Sequence, residues 1–269
     1  MQFSKYHAAG NDYLVYTASA PFCFTEQEIS RICDRHHGLG SDGILVPLIN
    51  SGEMLSVDIY NTDGSQAEKS GNGLRIFCRY LWDQGIVESS HFKVSTKGGV
   101  VSCQVLDVGK RISIAMGTAR FIETTESTCL IDGTELLLNP VSMGNPHCVI
   151  FVAQPTEILA RNLGPIIENL SIFPDRTNVQ FVRVIDRKNL EVQIWERGVG
   201  YTLSSGTSSC AAAAVSRKLG LVDAQVAVRM PGGVINIELD NDYHVLMQGP
   251  VCKVGEYSLD AECLVQEDF

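Results

Sequence analysis

An excess of basic charge is missing from this chain: 21 Lys and Arg stand against 31 Asp and Glu, a net charge of −10 with a pI near 5.0. Nucleic-acid binding draws its affinity from a basic face that releases counter-ions, so that function is excluded, and anionic membrane surfaces are disfavoured for the same reason. Long apolar runs are missing as well. None approaches the ~18 residues that span a bilayer, and the opening MQFSKYHAAGNDYLVY has no basic stretch leading into an apolar one, so the expectation is no secretory signal. Cysteine pairs are the third absence. The 9 Cys, at 23, 33, 78, 103, 129, 148, 210, 252 and 263, form no Cys-x-x-Cys and are odd in number. They read as small buried hydrophobes in a reducing cytoplasm, without a clustered metal site. Proline is sparse, at 9, and no tract is compositionally biased. With 45% apolar and 19% charged residues the composition is globular. At roughly 100–200 residues per domain, 269 residues predict two domains or one large one.

What the chain does have is an internal repeat. Gly10-Asn11 recurs as Gly144-Asn145 and Gly98-Gly99-Val100 as Gly232-Gly233-Val234, both at an offset of 134 (144 − 10 and 232 − 98). Ile59-Tyr60 recurs as Ile194-Trp195 and Ser70-Gly71 as Ser205-Gly206, both at 135 (194 − 59 and 205 − 70). Four matches in one order, with offsets near half the chain length, indicate duplication of an ancestral domain.

Thr25 with Glu28 has the form of a capping box and predicts a helix to about His36. Thr156 opens the corresponding helix of the second half, which Pro165 is expected to interrupt. VSCQVLDV, RISIAMG, LEVQIWE and VINIELD read as strands, and Gly98-Gly99 and Gly232-Gly233 as hairpin turns between strands. The fold class expected is α+β/α/β: two similar strand-rich domains, each a curved sheet or barrel around a central helix, related by internal pseudo-twofold duplication, with too many strands for a doubly wound parallel fold. Gly38-Leu-Gly40-Ser-Asp-Gly43 matches a dinucleotide-binding pattern in letters only. It follows a helix and precedes a strand, the reverse of what that loop requires.

The chemistry gathers at Ser70-Gly71-Asn72-Gly73 and Ser205-Gly206-Thr207-Ser208, each where a loop enters a helix. First-turn N–H groups have no intrahelical partner there, glycine lets an anion come close, and the dipole adds partial positive charge. N-capping by serine is the plain alternative at either site. Two such sites related by a repeat could hold one carboxylate between them and present one side chain to each face of a stereocentre, the geometry of two-base proton transfer. Serine is a poor proton shuttle, being far less acidic than a thiol, so the sites are better suited to cysteine.

At these residues the chain resembles the diaminopimelate epimerase family. HAAGNDY from His7, NTDGSQAEKSGNGLR from Asn61, GNPHCV from Gly144, RTNV from Arg176 and WERGVGYTLSSGTSSCAAA from Trp195 follow that family's signatures in order over nearly the whole chain. The resemblance implies two similar domains, residues 1–118 with 253–269 and residues 119–252, with the active site in the cleft between them. It implies interconversion of LL- and meso-2,6-diaminopimelate for lysine and peptidoglycan precursors. No organic cofactor and no metal are implied, the partner is a small-molecule amino acid, and a cytoplasmic homodimer is expected. The family's two catalytic cysteines fall on Ser70 and Ser205, which reads as paired Cys→Ser replacement leaving an inactive form.

The remaining roles are likewise what the resemblance implies. His147 assists the first thiol and Glu196 the second. Asn11, Asn61, Asn145, Asn178 and Arg197 surround the end of the substrate that does not react, where a guanidinium can pair with a distal carboxylate. Gly71, Asn72, Gly206 and Thr207 bind the α-carboxylate through backbone amides and stabilise the charge that grows there. Tyr201 and Gly43 stand where other members carry Glu and Gln, so a racemase acting on another amino acid, such as glutamate or histidine, is the alternative enzyme. A non-catalytic amino-acid-binding paralogue is the alternative outside catalysis.

Overall fold

The computed structural model describes residues 1–49, 54–123, 128–131 and 133–264. The chain divides into two compact units, Met1–Ile114 with Pro250–Phe269, and Ala115–Gly249. The junctions lie a few residues before 118/119 and 252/253.

In the first unit, strands Gln2–Ala8 and Asn11–Tyr16 form a hairpin with Ala8 opposite Asn11. It turns through Ala9 and Gly10 at φ 53° and 83°, the two left-handed positions of a type I′ turn. Strand Cys252–Ser258 lies antiparallel to Gln2–Ala8, which is why the last part of the chain belongs to this unit. Asn11–Tyr16 runs parallel to Gly43–Leu48, itself antiparallel to Ser56–Asn61. A second hairpin, His91–Thr96 with Gly99–Leu106, places Thr96 opposite Gly99 across Lys97-Gly98, and Gly99–Leu106 continues to Arg111–Thr118.

Helix α1, Glu26–Cys33, buries Ile29, Ile32 and Cys33, three positions on one face, against Phe3, Leu14 and Ile44. Its capping box is complete, with Thr25 accepting from Glu28 N–H and Glu28 from Thr25 N–H. The helix stops at Cys33, short of the expected His36. Asp34 turns to an extended conformation and its carboxylate accepts from the N–H groups of His36 and His37, which hold the carboxyl down to about 2. The glycine-rich segment 38–43 therefore joins a helix to a strand, and no phosphate-binding turn forms. Helix α2, Gly71–Asp83, packs on Gln2–Ala8, Asn11–Tyr16 and Gly99–Leu106. Leu74, Ile76, Phe77, Cys78 and Leu81 on it are all fully buried, so it is the unit's central helix.

The second unit repeats the plan. Pro146–Phe151 runs antiparallel to Asn139–Ser142 and parallel to Asn178–Asp186, which pairs with Asn189–Glu196. Asn189–Glu196 also meets Gly200–Thr202 and Gln225–Met230, and Gln225–Met230 turns through Pro231-Gly232 into Gly233–Leu239, with Met230 opposite Gly233. Helix α3, Glu157–Glu168, lies outside the sheet on Asn178–Asp186, Asn189–Glu196 and Gly200–Thr202. The expected break at Pro165 does not occur. Gly164 precedes the proline and has no Cβ to meet its ring, so the helical conformation survives, and Asn169 Nδ2 donates back to Pro165 O. Helix α4, Gly206–Lys218, has the same 13 residues as α2. Its run Cys210–Val215 is buried on every side, and alanines let strands approach from all directions. Ser209 and Ser216 settle their hydroxyls on the carbonyls of Ser205 and Ala212, one turn back. Two strand-rich units, each with a buried central helix and an outer helix, make up the fold.

Candidate active site

Ser70 and Ser205 are the N-cap residues of α2 and α4, both in extended backbone conformation. Their side chains differ in what they do. Ser70 Oγ accepts from Gly73 N–H at 3.0 Å and meets Tyr13 Oη at 3.2 Å. Ser205 is nearly fully buried, yet its hydroxyl makes no capping bond. Gly71 and Asn72 follow the first cap and Gly206 and Thr207 the second, so each helix offers first-turn N–H groups with no intrahelical acceptor.

In the first unit Asn72 follows Ser70 on α2, while Asn11 opens the strand Asn11–Tyr16 and Asn61 closes the strand Ser56–Asn61. Asn11 Nδ2 donates to Asp42 Oδ2 at 2.7 Å, which settles the orientation of its amide. Asp42 also accepts from Asp12 N–H and from Arg35. Burial raises the Asp42 carboxyl and neighbouring Asp12 adds to the effect. Burial pushes Asp12 up too, but hydrogen bonds from Arg35 and Lys5 outweigh it and leave the group lowered. Asn72 Oδ1 accepts from the fully buried Arg75 at 2.8 Å. Asn61 sits at the end of its strand and donates to Ser65 Oγ. Gly43 is sterically required, because a Cβ there would lie 2.4 Å from Tyr60 O and 2.7 Å from the Tyr13 ring. The ring that carries the hydroxyl to Ser70 thus occupies the space a larger residue at 43 would need.

In the second unit His147 and Asn178 stand side by side on parallel strands. His147 is 1% exposed. Gln180 Nε2 donates to its Nδ1 at 3.1 Å and to Ser208 Oγ, in the first turn of α4, at 3.0 Å. An amide nitrogen only donates, so Nδ1 is the acceptor and Nε2 carries the proton, given to Asn145 Oδ1 at 3.0 Å. Burial, with the Arg197 charge next, holds the imidazole down to about 3. It is therefore neutral, and both ring nitrogens are engaged.

Asn178 is buried; its Nδ2 donates to Pro146 O, and its Oδ1 accepts from Arg197 N–H at 3.0 Å. Arg197 is partly exposed, with Nη1 donating to Asp175 O. Glu196 ends the strand Asn189–Glu196 opposite Gly200. Tyr201 turns into packing: its hydroxyl donates to Gln193 and the Arg161 guanidinium lies 4.6 Å over its ring. The structure thus places Tyr13 and Asn72 at the α2 N-terminus, ties Asn11 to Asp42, and connects His147 and Asn145 through Gln180 to α4. Asn178 joins the same strand pair to Arg197. Tyr13, Gln180 and Glu168 were not singled out in the sequence. Tyr13 lies inside the HAAGNDY motif and Gln180 immediately after RTNV, so proximity to a motif was the only available signal. Asp240, Asp242 and His244 bring potential metal-binding atoms within 4.8 Å of one another on an exposed turn. There the Asp240 carboxylate accepts N–H groups of Asp242 and His244, an ordinary turn arrangement.

The fold is shared with solved structures named as an epimerase and as a probable racemase. It is shared with a hydroxyproline epimerase from Agrobacterium vitis, at a TM-score of 0.74 and 16% identity over 96% of this chain and 91% of the other. A probable proline racemase from Agrobacterium radiobacter matches at 0.73 and 14% over 97% and 93%. The family model described as diaminopimelate epimerase matches residues 3–122 and 140–254. The chain is 45% identical to diaminopimelate epimerase 2 of Nostoc sp. over 99% of its own length and 98% of the relative's. It is 35% identical to the diaminopimelate epimerase of Moorella thermoacetica over 97% and 100%. The chain belongs to the diaminopimelate epimerase family, a family of isomerases.

Proposed function

We propose that this protein binds 2,6-diaminopimelate. With cysteine at 70 and 205 it would interconvert the LL and meso forms by two-base proton transfer; as written, with serine at both, it holds the ligand without useful turnover. The observation that carries the reading is the placement of Ser70 and Ser205 as N-caps of equivalent buried helices, each followed by glycine. In this reading the N–H groups of Gly71, Asn72, Gly206 and Thr207 bind the α-carboxylate and stabilise the negative charge that grows as the α-proton leaves. One thiolate would remove that proton and the opposite thiol would deliver another, with His147 and Glu196 assisting one each. The reading requires residue 70 of one unit and residue 205 of the other to act on one ligand.

Arg197 is assigned the distal carboxylate, and Asn178 supports this by fixing the Arg197 backbone. Nine free cysteines are consistent with a reducing cytoplasm, and no helix among the described residues is long and apolar enough to cross a membrane. The homodimer belongs to the same reading, and sedimentation velocity decides it. Calorimetry of the chain as written should show saturable binding of meso-diaminopimelate, with glutamate and histidine at least tenfold weaker. Arg197→Ala should lower affinity by at least tenfold, or about 1.4 kcal/mol. Unchanged affinity removes Arg197 from the site, and tighter binding of another amino acid replaces the substrate. In heavy water, α-deuterium incorporation should stay well below the rate of about 1 per second at the low end of enzyme turnover. Faster exchange refutes the inactive form.

A further inference from the structure

Glu168 is the last residue of α3, and its side chain is 6% exposed. Two effects oppose a carboxylate there: burial removes it from water, and the C-terminal end of a helix carries partial negative charge. It is compensated by three donors. Trp195 Nε1 donates to Oε2 at 2.7 Å, Gly198 N–H to Oε1 at 3.1 Å, and Arg176 Nη1 to Oε1 at 3.1 Å.

Two of these donors bracket Glu196 and Arg197. The segment between them is further held by Asn178 on Arg197 N–H and by Val199 N–H donating to Glu196 O. Gly198 takes φ +75° here, a turn residue with no side chain to anchor it, so its N–H is the handle available. Trp195 is seated against α3 closely enough that a Cβ on Gly164 would lie 2.4 Å from the ring. Arg176, held in the left-handed region at φ 58°, completes the set, and the Glu168 carbonyl accepts Thr177 N–H next to Asn178. Both walls of the Glu196-Arg197 turn are therefore tied to one residue.

We infer that Glu168 is a positioning residue. Its carboxylate fixes the direction in which Glu196 and Arg197 leave the strand end, and so sets the aim of the carboxylate that assists residue 205. The inference rests on the proposed function for the roles of Glu196 and Arg197. The clamp itself is geometry within one unit. A displacement of about 1 Å at a reacting group costs on the order of 100-fold in rate, so a tether acting at one remove has a kinetic signature.

The test uses Glu168→Gln, which keeps shape and volume but gives up one acceptor oxygen. In a background with Ser70→Cys and Ser205→Cys, kcat/KM for diaminopimelate should fall between tenfold and 100-fold, mainly through kcat. The pH profile limb belonging to the residue 205 thiol should shift as Glu196 loses its aim. Trp195 fluorescence should shift as its indole loses the carboxylate. Glu157→Gln, exposed at the other end of α3, should leave kinetics and Trp195 emission unchanged. If the parent with both cysteines does not turn over diaminopimelate, the proposed function fails. If the parent turns over and Glu168→Gln changes only melting temperature and fluorescence, with kcat/KM and pH profile intact, Glu168 is structural and the inference is overturned.

Discussion

His147 shows how burial decides chemistry at a single residue. Its imidazole is held at about 3 by desolvation first and the Arg197 charge second, against 6.5 in water. A lowered folded-state value means the unfolded chain binds a proton that the native state refuses. Stability from this group is thus complete above about 6.5 and is lost progressively as pH falls toward 3. His147→Gln retains an acceptor and a donor in the same places, so its urea midpoint should fall less between pH 7 and pH 5 than that of the parent. Equal falls would mean that His147 titrates normally. Gly43 gives a steric counterpart. Gly43→Gln should cost about 3 kcal/mol in a denaturant titration, because its Cβ meets the Tyr60 carbonyl and the Tyr13 ring. A neutral substitution would require the Tyr13 ring to move away from Ser70.

At the scale of the helix, α2 and α4 are repeats that have diverged at the cap. Ser70 caps Gly73 N–H and Ser205 caps nothing. Ser70→Ala should therefore cost about 1 kcal/mol, while Ser205→Ala should stay within a few tenths, read as the difference between the two melting curves. Equal losses would mean the two caps are equivalent after all. Helix starts were legible in the sequence because caps act over three residues: Thr25 with Glu28, Ser70 and Thr156 all proved to be N-caps. Helix ends and breaks were less so. Asp34 ended α1 early through hydrogen bonds to the residues after it, and Gly164 beside Pro165 let α3 continue.

On the scale of the molecule, the duplication makes a prediction about function. If residues 70 and 205 act as donor and acceptor on one α-carbon, a single Ser→Cys substitution at either position should leave epimerisation severely impaired. Substituting both should give far more than the product of the two single effects. Full epimerisation with Ser70→Cys alone would reduce Ser205 to part of a carboxylate clamp.

The sequence alone carried the two-fold plan, the strands and the two Ser-Gly helix starts, because each is written in local spacing or in a match between halves. It also carried the motifs of the proposed site, since their residues are near one another along the chain. Tertiary structure decided what connects those motifs. Gln180 reaches His147 across parallel strands and Ser208 on a helix, over separations of 33 and 28 residues. Glu168 reaches Trp195 and Gly198 over 27 and 30. Such contacts leave no periodic or local trace, because a side-chain hydrogen bond depends on where two backbones meet and not on how far apart they lie in the chain. Whether an N-cap serine actually caps, and whether a buried histidine keeps its proton, depend on surroundings that exist only once the chain has folded.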